Sequence, residues 1–112
     1  MRRARIGDLD QRVSLERPVD TPDDIGGVTR AWAHVDDLWA RVTPVAGAEQ
    51  FAGEREETAI THRVLARWRP DVTGAMRLRL GARIFAIHAA LDWDTRRRFM
   101  LLQCQETDAP DA

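Results

Sequence analysis

The sequence predicts an all-β fold: a small antiparallel β-barrel or sandwich of about seven short strands with one long inserted loop. Short segments alternate apolar and polar residues with a period of two, which is the pattern of a strand with one buried face. Glycine, proline and aspartate separate these segments at intervals of roughly ten residues, as turns do in sandwiches and barrels. No segment shows the apolar periodicity of a long helix. A chain of 112 residues is expected to form a single domain, 1–112.

The first three predicted strands precede the long loop. The first covers residues 11–17, because Val13 and Leu15 alternate there with polar residues. Pro18 is expected to end this strand and to open a turn-rich loop that continues to residue 27. The next two strands are expected at 28–34 and 37–43.

The segment from Pro44 to Glu57 is the least strand-like part of the chain. It contains four glutamates, two glycines and one bulky apolar residue, Phe51. We interpret it as a long loop, with room for a short helix of one or two turns between Ala46 and Ala52. Long loops without structure of their own are usually functional or disordered in compact domains.

Four further strands are expected after this loop, and the two ends of the chain, 1–7 and 106–112, are expected to be flexible. The expected strands cover 58–68, 76–80, 83–91 and 99–105. Inward-facing core positions follow from the alternation with polar neighbours. They are Val13, Leu15, Val64, Leu78, Ile87 and Leu102.

Composition argues against several classes of protein. The formal net charge is -1, so no basic excess indicates nucleic-acid binding, and all the basic residues are arginines. No apolar stretch approaches the roughly 20 residues of a membrane span, and the first residues lack the apolar segment of a secretory signal. We therefore expect no membrane association.

Residues that could support catalysis or metal binding are few and scattered. His34, His62 and His88 fall on three different predicted strands, and His62 is expected to be a partly buried histidine rather than a ligand. Cys104 is the one cysteine and is expected to be a buried small apolar residue. The carboxylates of the long loop lack the spacing of a calcium loop. We predict no enzyme activity, no cofactor and no metal site.

Two features are candidates for contacts with other proteins. Arg96, Arg97 and Arg98 follow Asp92 and Asp94 in a charged turn, which favours a neutralised hairpin tip or a protein contact over DNA binding. Trp39 is a candidate core or interface anchor, because tryptophan is enriched at the centres of interfaces.

Four phrases of the sequence resemble the phage head-closure family, whose members are also called head–tail joining or stopper proteins. The phrases are IGDLDQRVSLERP, GGVTRAWAHVDDLWARVTPVAGAEQF, THRVLARWRPDVTGAMRL and GARIFAIHAALDWDTRRRFMLLQCQE. They occur in the order of the family and cover about residues 6–106. Each phrase is weak by itself, and the ordered set is more specific.

The resemblance implies a structural subunit of a virion, made in the bacterial host cytoplasm and located at the head–tail interface. Family members form a ring, which the resemblance suggests is roughly twelve-fold. This ring would lie between a portal or adaptor ring and a tail protein, and DNA would pass through its channel without specific binding. The channel-facing residues implied by the resemblance are Glu49, Gln50, Phe51, Glu54, Arg55, Glu56 and Glu57.

Two alternatives stay open from the sequence. One is a tail-completion or tail-tube subunit, since small β-barrels with long loops also occur there. The other is a small nucleic-acid-binding barrel that would use its tryptophans and the arginines at 96–98. A steep loss of binding with rising salt would support the second alternative.

Overall fold

The computed structural model describes residues 6–45 and 60–107. In these ranges the chain forms a closed antiparallel sheet. A short 3-10 helix, Ile6–Asp8, precedes the sheet. The six strands of the described ranges are β1 (Gln11–Pro22), β2 (Val28–Pro44), β3 (His62–Arg67), β4 (Arg77–Leu80), β5 (Arg83–Asp92) and β6 (Phe99–Thr107). Around the sheet their order is β1-β2-β3-β6-β5-β4, and β4 pairs with β1 to close it. The predicted all-β antiparallel fold is confirmed.

The inside of the closed sheet is the main hydrophobic core. All the predicted core positions are buried there, with Leu15, Leu78 and Leu102 fully inaccessible to solvent. Phe85, Met100 and Cys104 are also among the largest fully buried side chains. A second cluster on the outer face contains Leu9, Leu65 and Phe99.

The prediction of two strands at 28–34 and 37–43 is wrong, because β2 is continuous from Val28 to Pro44. Leu15 pairs with Asp36 and Glu16 pairs with His34, so Val35 is an extra residue on β2. This β-bulge shifts the alternation of side chains by one residue and bends the strand. Because the alternation of apolar and polar residues changes phase at Val35, the sequence of the single strand β2 has the pattern of two separate strands.

The prediction that Pro18 ends the first strand is also wrong, since β1 continues to Pro22. Beyond residue 16, β1 pairs with β2 alone, because β4 pairs only with residues 14–16 of β1. Proline lacks an N–H group and is tolerated in a strand wherever that position faces no neighbouring strand. Pro18 lies in the part of β1 beyond residue 16, where one side of the strand has no neighbouring strand.

Residues 17–22 and 28–33 therefore form a two-stranded extension of the sheet, which we call the ribbon. Its six pairs from Arg17 to Pro22 extend roughly 20 Å at about 3.4 Å per residue. The strands after the long loop match their predicted positions more closely, although β3 begins at His62 and β6 continues to Thr107. Glu106 is fixed there by Arg83, whose Nε donates to its carboxylate at 2.8 Å.

Candidate functional site

One end of the closed sheet holds the base of the long connection between β2 and β3. The N–H of Val45 donates to the carbonyl of Thr61 at 2.9 Å, and the N–H of Thr61 donates to the carbonyl of Cys104 at the same distance. The Thr61 hydroxyl also accepts from the N–H of Glu106 at 2.7 Å. The two sides of the connection are thus bonded to each other where the connection leaves the sheet, and the Thr61 side is also bonded to β6. The sequence-predicted channel residues lie outside the described residues: Glu49, Gln50, Phe51, Glu54, Arg55, Glu56 and Glu57.

His62 and Cys104 are register partners at this end of the interior. The His62 ring meets the Phe85 ring edge-on, with centroids 5.0 Å apart. Burial lowers the pKa of His62, so the imidazole is neutral near pH 7. Burial also raises the pKa of the Cys104 thiol to about 12, which keeps it protonated and unreactive. These side chains contribute to packing, as expected for a partly buried histidine and a buried cysteine.

The turn with Arg96, Arg97 and Arg98 lies at the opposite end of β3. Arg67, the last residue of β3, pairs with Phe99, whereas His62, the first, pairs with Cys104. At about 3.4 Å per residue the two ends are about 17 Å apart. The two features that the sequence singled out, the long loop and the arginine turn, therefore mark opposite ends of the sheet.

Aspartates hold the arginine turn in shape and neutralise part of its charge. Asp94 forms an ion pair with Arg98 at 2.6 Å, and Asp92 accepts hydrogen bonds from the N–H of Arg97. Thr95 and Arg97 adopt positive φ angles of 60° and 56°, so the turn is tight. In the described ranges no carboxylate pairs with the guanidinium of Arg96 or Arg97.

Trp39 is on the outer wall of the sheet and is 52% exposed. The guanidinium of Arg12, on the neighbouring strand, lies over its ring at 5.0 Å from the centroid. Trp39 is thus available to a partner. No contact joins it to the arginine turn in the described structure.

Sequence reasoning missed the ribbon. Its tip exposes two apolar side chains, with Ile25 90% and Val28 65% exposed. The Asp23 carboxylate shapes the tip by accepting hydrogen bonds from the N–H groups of Ile25 and Gly27. The aspartates and paired glycines before Val28 were a signal for a hairpin turn, and Pro18 concealed the strand that leads to it.

The base of the ribbon is held to the sheet by an aromatic and ionic cluster. The Arg77 guanidinium stacks over the Trp32 ring at 4.2 Å and donates from Nε to Glu16 at 2.6 Å. A cleft of about 400 Å³ lies beside this cluster, and its lining combines apolar residues such as Pro18, Met76 and Ile84 with Arg30, Arg77 and Thr107. The ribbon is therefore a fixed element whose tip projects from the sheet.

Nothing in the described ranges forms a metal centre, since no three histidine, cysteine or acidic residues are grouped closely enough. His34 contacts Asp37, and His88 contacts Gln105. These two histidines lie on β2 and β5, which are not neighbouring strands. No helix in the described ranges is long or apolar enough to cross a membrane.

Comparison with known proteins supports a structural role for the protein. A model of the family described as phage head completion protein matches residues 4–107. The solution structure of a protein from Shigella flexneri 2a has a TM-score of 0.72 and 27% identity, covering 95% of this chain and 99% of that one. A chain in the virion of a native gene transfer agent particle has a TM-score of 0.69 and 27% identity, covering 94% and 98%. No curated protein sequence matches this chain.

Proposed function

Because this chain belongs to the phage head completion protein family and has a structural role in head completion, we propose that it is the head-closure subunit of a tailed phage or phage-derived particle. In this role it forms a ring between a portal or adaptor ring and a tail protein. The loop residues from Glu49 to Glu57 of each subunit face the channel and close it after DNA has been packaged.

The observation that carries this proposal is the position of the long connection. Its two sides are fixed at one end of the closed sheet by the Val45–Thr61 and Thr61–Cys104 hydrogen bonds. The arginine turn and Trp39 lie toward the other end of β3, about 17 Å away at about 3.4 Å per residue. A connector needs separate surfaces for the channel and for its neighbours, and this arrangement provides them.

The charge of the connection suits a channel through which DNA passes. Residues 46–59 contain four glutamates and one arginine, so the segment has a formal charge of -3. Several copies around a ring would concentrate this negative charge in the lumen and repel DNA phosphates. Phe51 would supply an apolar contact between neighbouring copies, and Arg55 would pair with a carboxylate of the next copy.

Assembly with other proteins of a particle is supported by the similarity to the gene transfer agent chain, which is part of a virion. A ring of roughly twelve copies would use heterologous contacts, in which different surfaces of adjacent subunits meet. A closed sheet suits such a subunit, because strands that pair on both sides cannot pair nonspecifically at high local concentration, and open edges are confined largely to the ribbon.

Deletion of residues 47–56 tests the closure role in particles. The variant should still be incorporated, since the ends of the connection keep their hydrogen bonds, but the particles should lose nuclease-protected DNA or fail to join tails. Substitution of the exposed Arg17 by alanine is a control outside both the connection and the arginine turn, and this variant should retain closure. Particles that contain the deletion variant, protect DNA at the wild-type level and carry tails would contradict the proposed role of the segment.

A further inference from the structure

The most exposed large apolar side chains of the described residues lie at the tip of the ribbon, which comprises residues 23–28. Ile25 is 90% exposed and Val28 is 65% exposed. The turn is closed by its own polar groups, because the N–H of Asp23 donates to the carbonyl of Gly27 at 2.9 Å and the Asp23 carboxylate accepts from the N–H of Gly27 at 2.7 Å. The conformation of the tip therefore depends on neither apolar side chain, and both are available to a partner.

The cleft of about 400 Å³ at the base of the ribbon, which we call the ribbon cleft, offers a matching apolar surface. Pro18 and Trp32 line it from the ribbon, and Met76 and Ile84 line it from the sheet. The exposed residue Ala75 also belongs to its lining. Its volume is within the range of clefts that hold small ligands, so it has room for an isoleucine side chain. An apolar side chain placed there would be buried between the ribbon and the sheet.

The charged cluster around the ribbon cleft has an excess of positive charge. Arg30 is paired with Asp20 at 2.7 Å, whereas Arg77 and Arg79 share the single carboxylate of Glu16. Three arginines and two carboxylates leave this cluster one net positive charge. A partner with negative charge is therefore favoured at this site.

The tip has the opposite charge. Residues 23–28 contain Asp23 and Asp24 and no basic residue, so their formal charge is -2. Asp23 is used within the turn, and Asp24 forms no ion pair within the described ranges. At the cleft, Arg79 is the register partner of the lining residue Ile84, and its side chain is 38% exposed. Asp24 beside Arg79 would compensate the excess charge of the cluster.

The tip of one copy is held away from its own ribbon cleft. Pro18 lines the cleft, and four further pairs, from Val19–Ala31 to Pro22–Val28, separate it from the turn. At about 3.4 Å per residue, Pro22 lies roughly 14 Å from Pro18. Both strands are paired along this length, so the ribbon cannot fold back to bring its tip into the cleft. An occupant of the cleft must come from elsewhere.

We propose that the tip of one copy docks in the ribbon cleft of the next copy and that this head-to-tail contact joins the subunits of the ring. Ile25 enters the apolar part of the cleft beside Met76 and Ile84, and Asp24 pairs with Arg79. Tip and cleft are different surfaces, so the contact is heterologous, the type of contact that generates rings. This inference rests on the proposed function for the existence of a ring and adds the contact that holds the ring together.

A second copy is the occupant that size and charge favour. It supplies an apolar side chain and an acidic turn, and each contact covers both an exposed tip and an open cleft. Residues 108–112, which follow the cleft residue Thr107, contain only aspartate, alanine and proline, so they offer less apolar surface than the tip. A segment of a different protein in the cleft would leave Ile25 of this chain exposed.

Thiol crosslinking in assembled particles tests the contact. The double variant Ile25→Cys, Ala75→Cys places one thiol on the tip and one in the cleft, and a short bismaleimide should join its copies into a ladder of dimers, trimers and longer chains on a denaturing gel. Neither single variant should form the ladder. The double variant Ile25→Cys, Arg96→Cys is the matched control, because its second thiol lies on the arginine turn at the other end of β5 from the cleft, and it should form no ladder. Cys104 does not interfere, because it is buried and its pKa is raised to about 12.

The other outcomes of the crosslinking identify a different occupant or none. Crosslinking by Ile25→Cys alone would show that tips meet each other, and a product that stops at dimers would show a reciprocal pair instead of a chain of copies. Either result would overturn the proposal, as would a crosslink to another virion protein, an equal ladder from the control, or particles that contain the double variant without a ladder. All of these would leave the head-closure role intact. Absence of the wild-type protein from particles would instead refute the proposed function.

Substitution at the tip tests the contribution of the apolar contact. Ile25→Asp should reduce incorporation into particles at least about tenfold, since burial of one isoleucine side chain contributes that much to affinity. Ile25→Leu keeps an apolar side chain of the same size and should be incorporated near the wild-type level. Because Ile25 is exposed in the free subunit, both variants should unfold at the wild-type denaturant midpoint. Normal incorporation of Ile25→Asp, or an equal loss for Ile25→Leu, would contradict the proposal.

Discussion

Arg77 and Glu16 form a 2.6 Å ion pair that is almost completely buried on the outer face of the closed sheet. They are register partners on β4 and β1, next to the inward-facing pair Leu78 and Leu15. Trp32 of the ribbon covers the guanidinium. Burial acts to raise the pKa of Glu16, but hydrogen bonds with Arg77 and Arg79 and the attraction of their charges together lower it by more, so the net shift is downward. The pair thus connects closure of the sheet with attachment of the ribbon.

The first prediction is that Arg77→Ala lowers the free energy of unfolding by about 3 kcal/mol at pH 7, since it leaves a buried carboxylate without its main partner. Arg79→Ala, at the more exposed partner of Glu16, should cost less than about 1 kcal/mol. Urea unfolding of both variants measures the difference.

Because the folded pKa of Glu16 is depressed, the stability that the ionised Glu16 contributes is present above the ordinary glutamate pKa of 4.5. This contribution is lost as the pH falls through the folded pKa of Glu16. Equal effects of the two substitutions would contradict the assigned burial.

The second prediction concerns the pair Leu15 and Leu78, which lies inside the sheet where β1 and β4 close it. Both side chains are fully buried, so truncation of either one to alanine should cost about 2–5 kcal/mol through lost burial and the cavity left behind. Leu91→Ala on the outer wall removes the same atoms from an exposed site and should change stability by less than about 0.5 kcal/mol. A denaturant midpoint for Leu15→Ala equal to that of wild type would show that the face assignment is wrong.

The core was predictable because side-chain direction in a strand depends only on local alternation. Val13 and Leu15 alternate with polar residues, and their burial follows wherever β1 pairs. A β-bulge makes this prediction of side-chain direction fail, because the extra residue shifts the alternation by one position. His88 is an extra residue on β5, since Ile87 pairs with Cys104 and Ala89 with Gln103. Such an insertion is set by the partner strand and leaves no local signal.

The surfaces were less predictable, since they depend on pairings between distant segments. Trp39 was identified as a candidate anchor from its residue type, but its exposure follows from the end of β2–β3 pairing at Ala40 and Ala66. The ribbon was missed because Pro18 normally ends a strand. Only the open side of β1 beyond residue 16 explains why it does not.

The third prediction is a pH dependence from His62. Burial lowers the folded pKa below the ordinary value of 6.5, with attraction to Glu106 opposing this shift and repulsion from Arg83 adding to it. The unfolded state therefore binds more protons below 6.5, and the stability contributed by neutral His62 is lost as the pH falls from 6.5 through the folded pKa. His62→Gln should flatten the unfolding free energy over that range. An unchanged slope between wild type and variant would contradict this assignment.

The fourth prediction is that the protein has no measurable affinity for double-stranded DNA at physiological salt. Its formal net charge is -1, and arginines such as Arg30, Arg69 and Arg98 are already paired with carboxylates. Phosphate binding depends on many unpaired cations acting together. Fluorescence anisotropy with a labelled duplex gives the measurement. Saturable binding at micromolar concentration or below would favour the nucleic-acid alternative.

The last prediction is that deletion of residues 47–56 leaves the free subunit folded, with an unfolding free energy within about 1 kcal/mol of wild type. Val45 and Thr61 keep their hydrogen bond, and the β2–β3 pairs from Pro44 and His62 to Ala40 and Ala66 remain. A shorter connection also lowers the entropy cost of closing the loop, which changes only slowly with length.

In the intact free subunit, Phe51 alone offers too little apolar area to offset an ordering cost of about 1–2 kcal/mol per residue, so amides 48–56 should exchange rapidly with solvent. Hydrogen exchange on the wild type and urea unfolding of the deletion variant test the two halves of the prediction. Strong protection of those amides, or loss of cooperative unfolding on deletion, would show that the segment belongs to the folded core and would remove the basis for its role as the closing element of the channel.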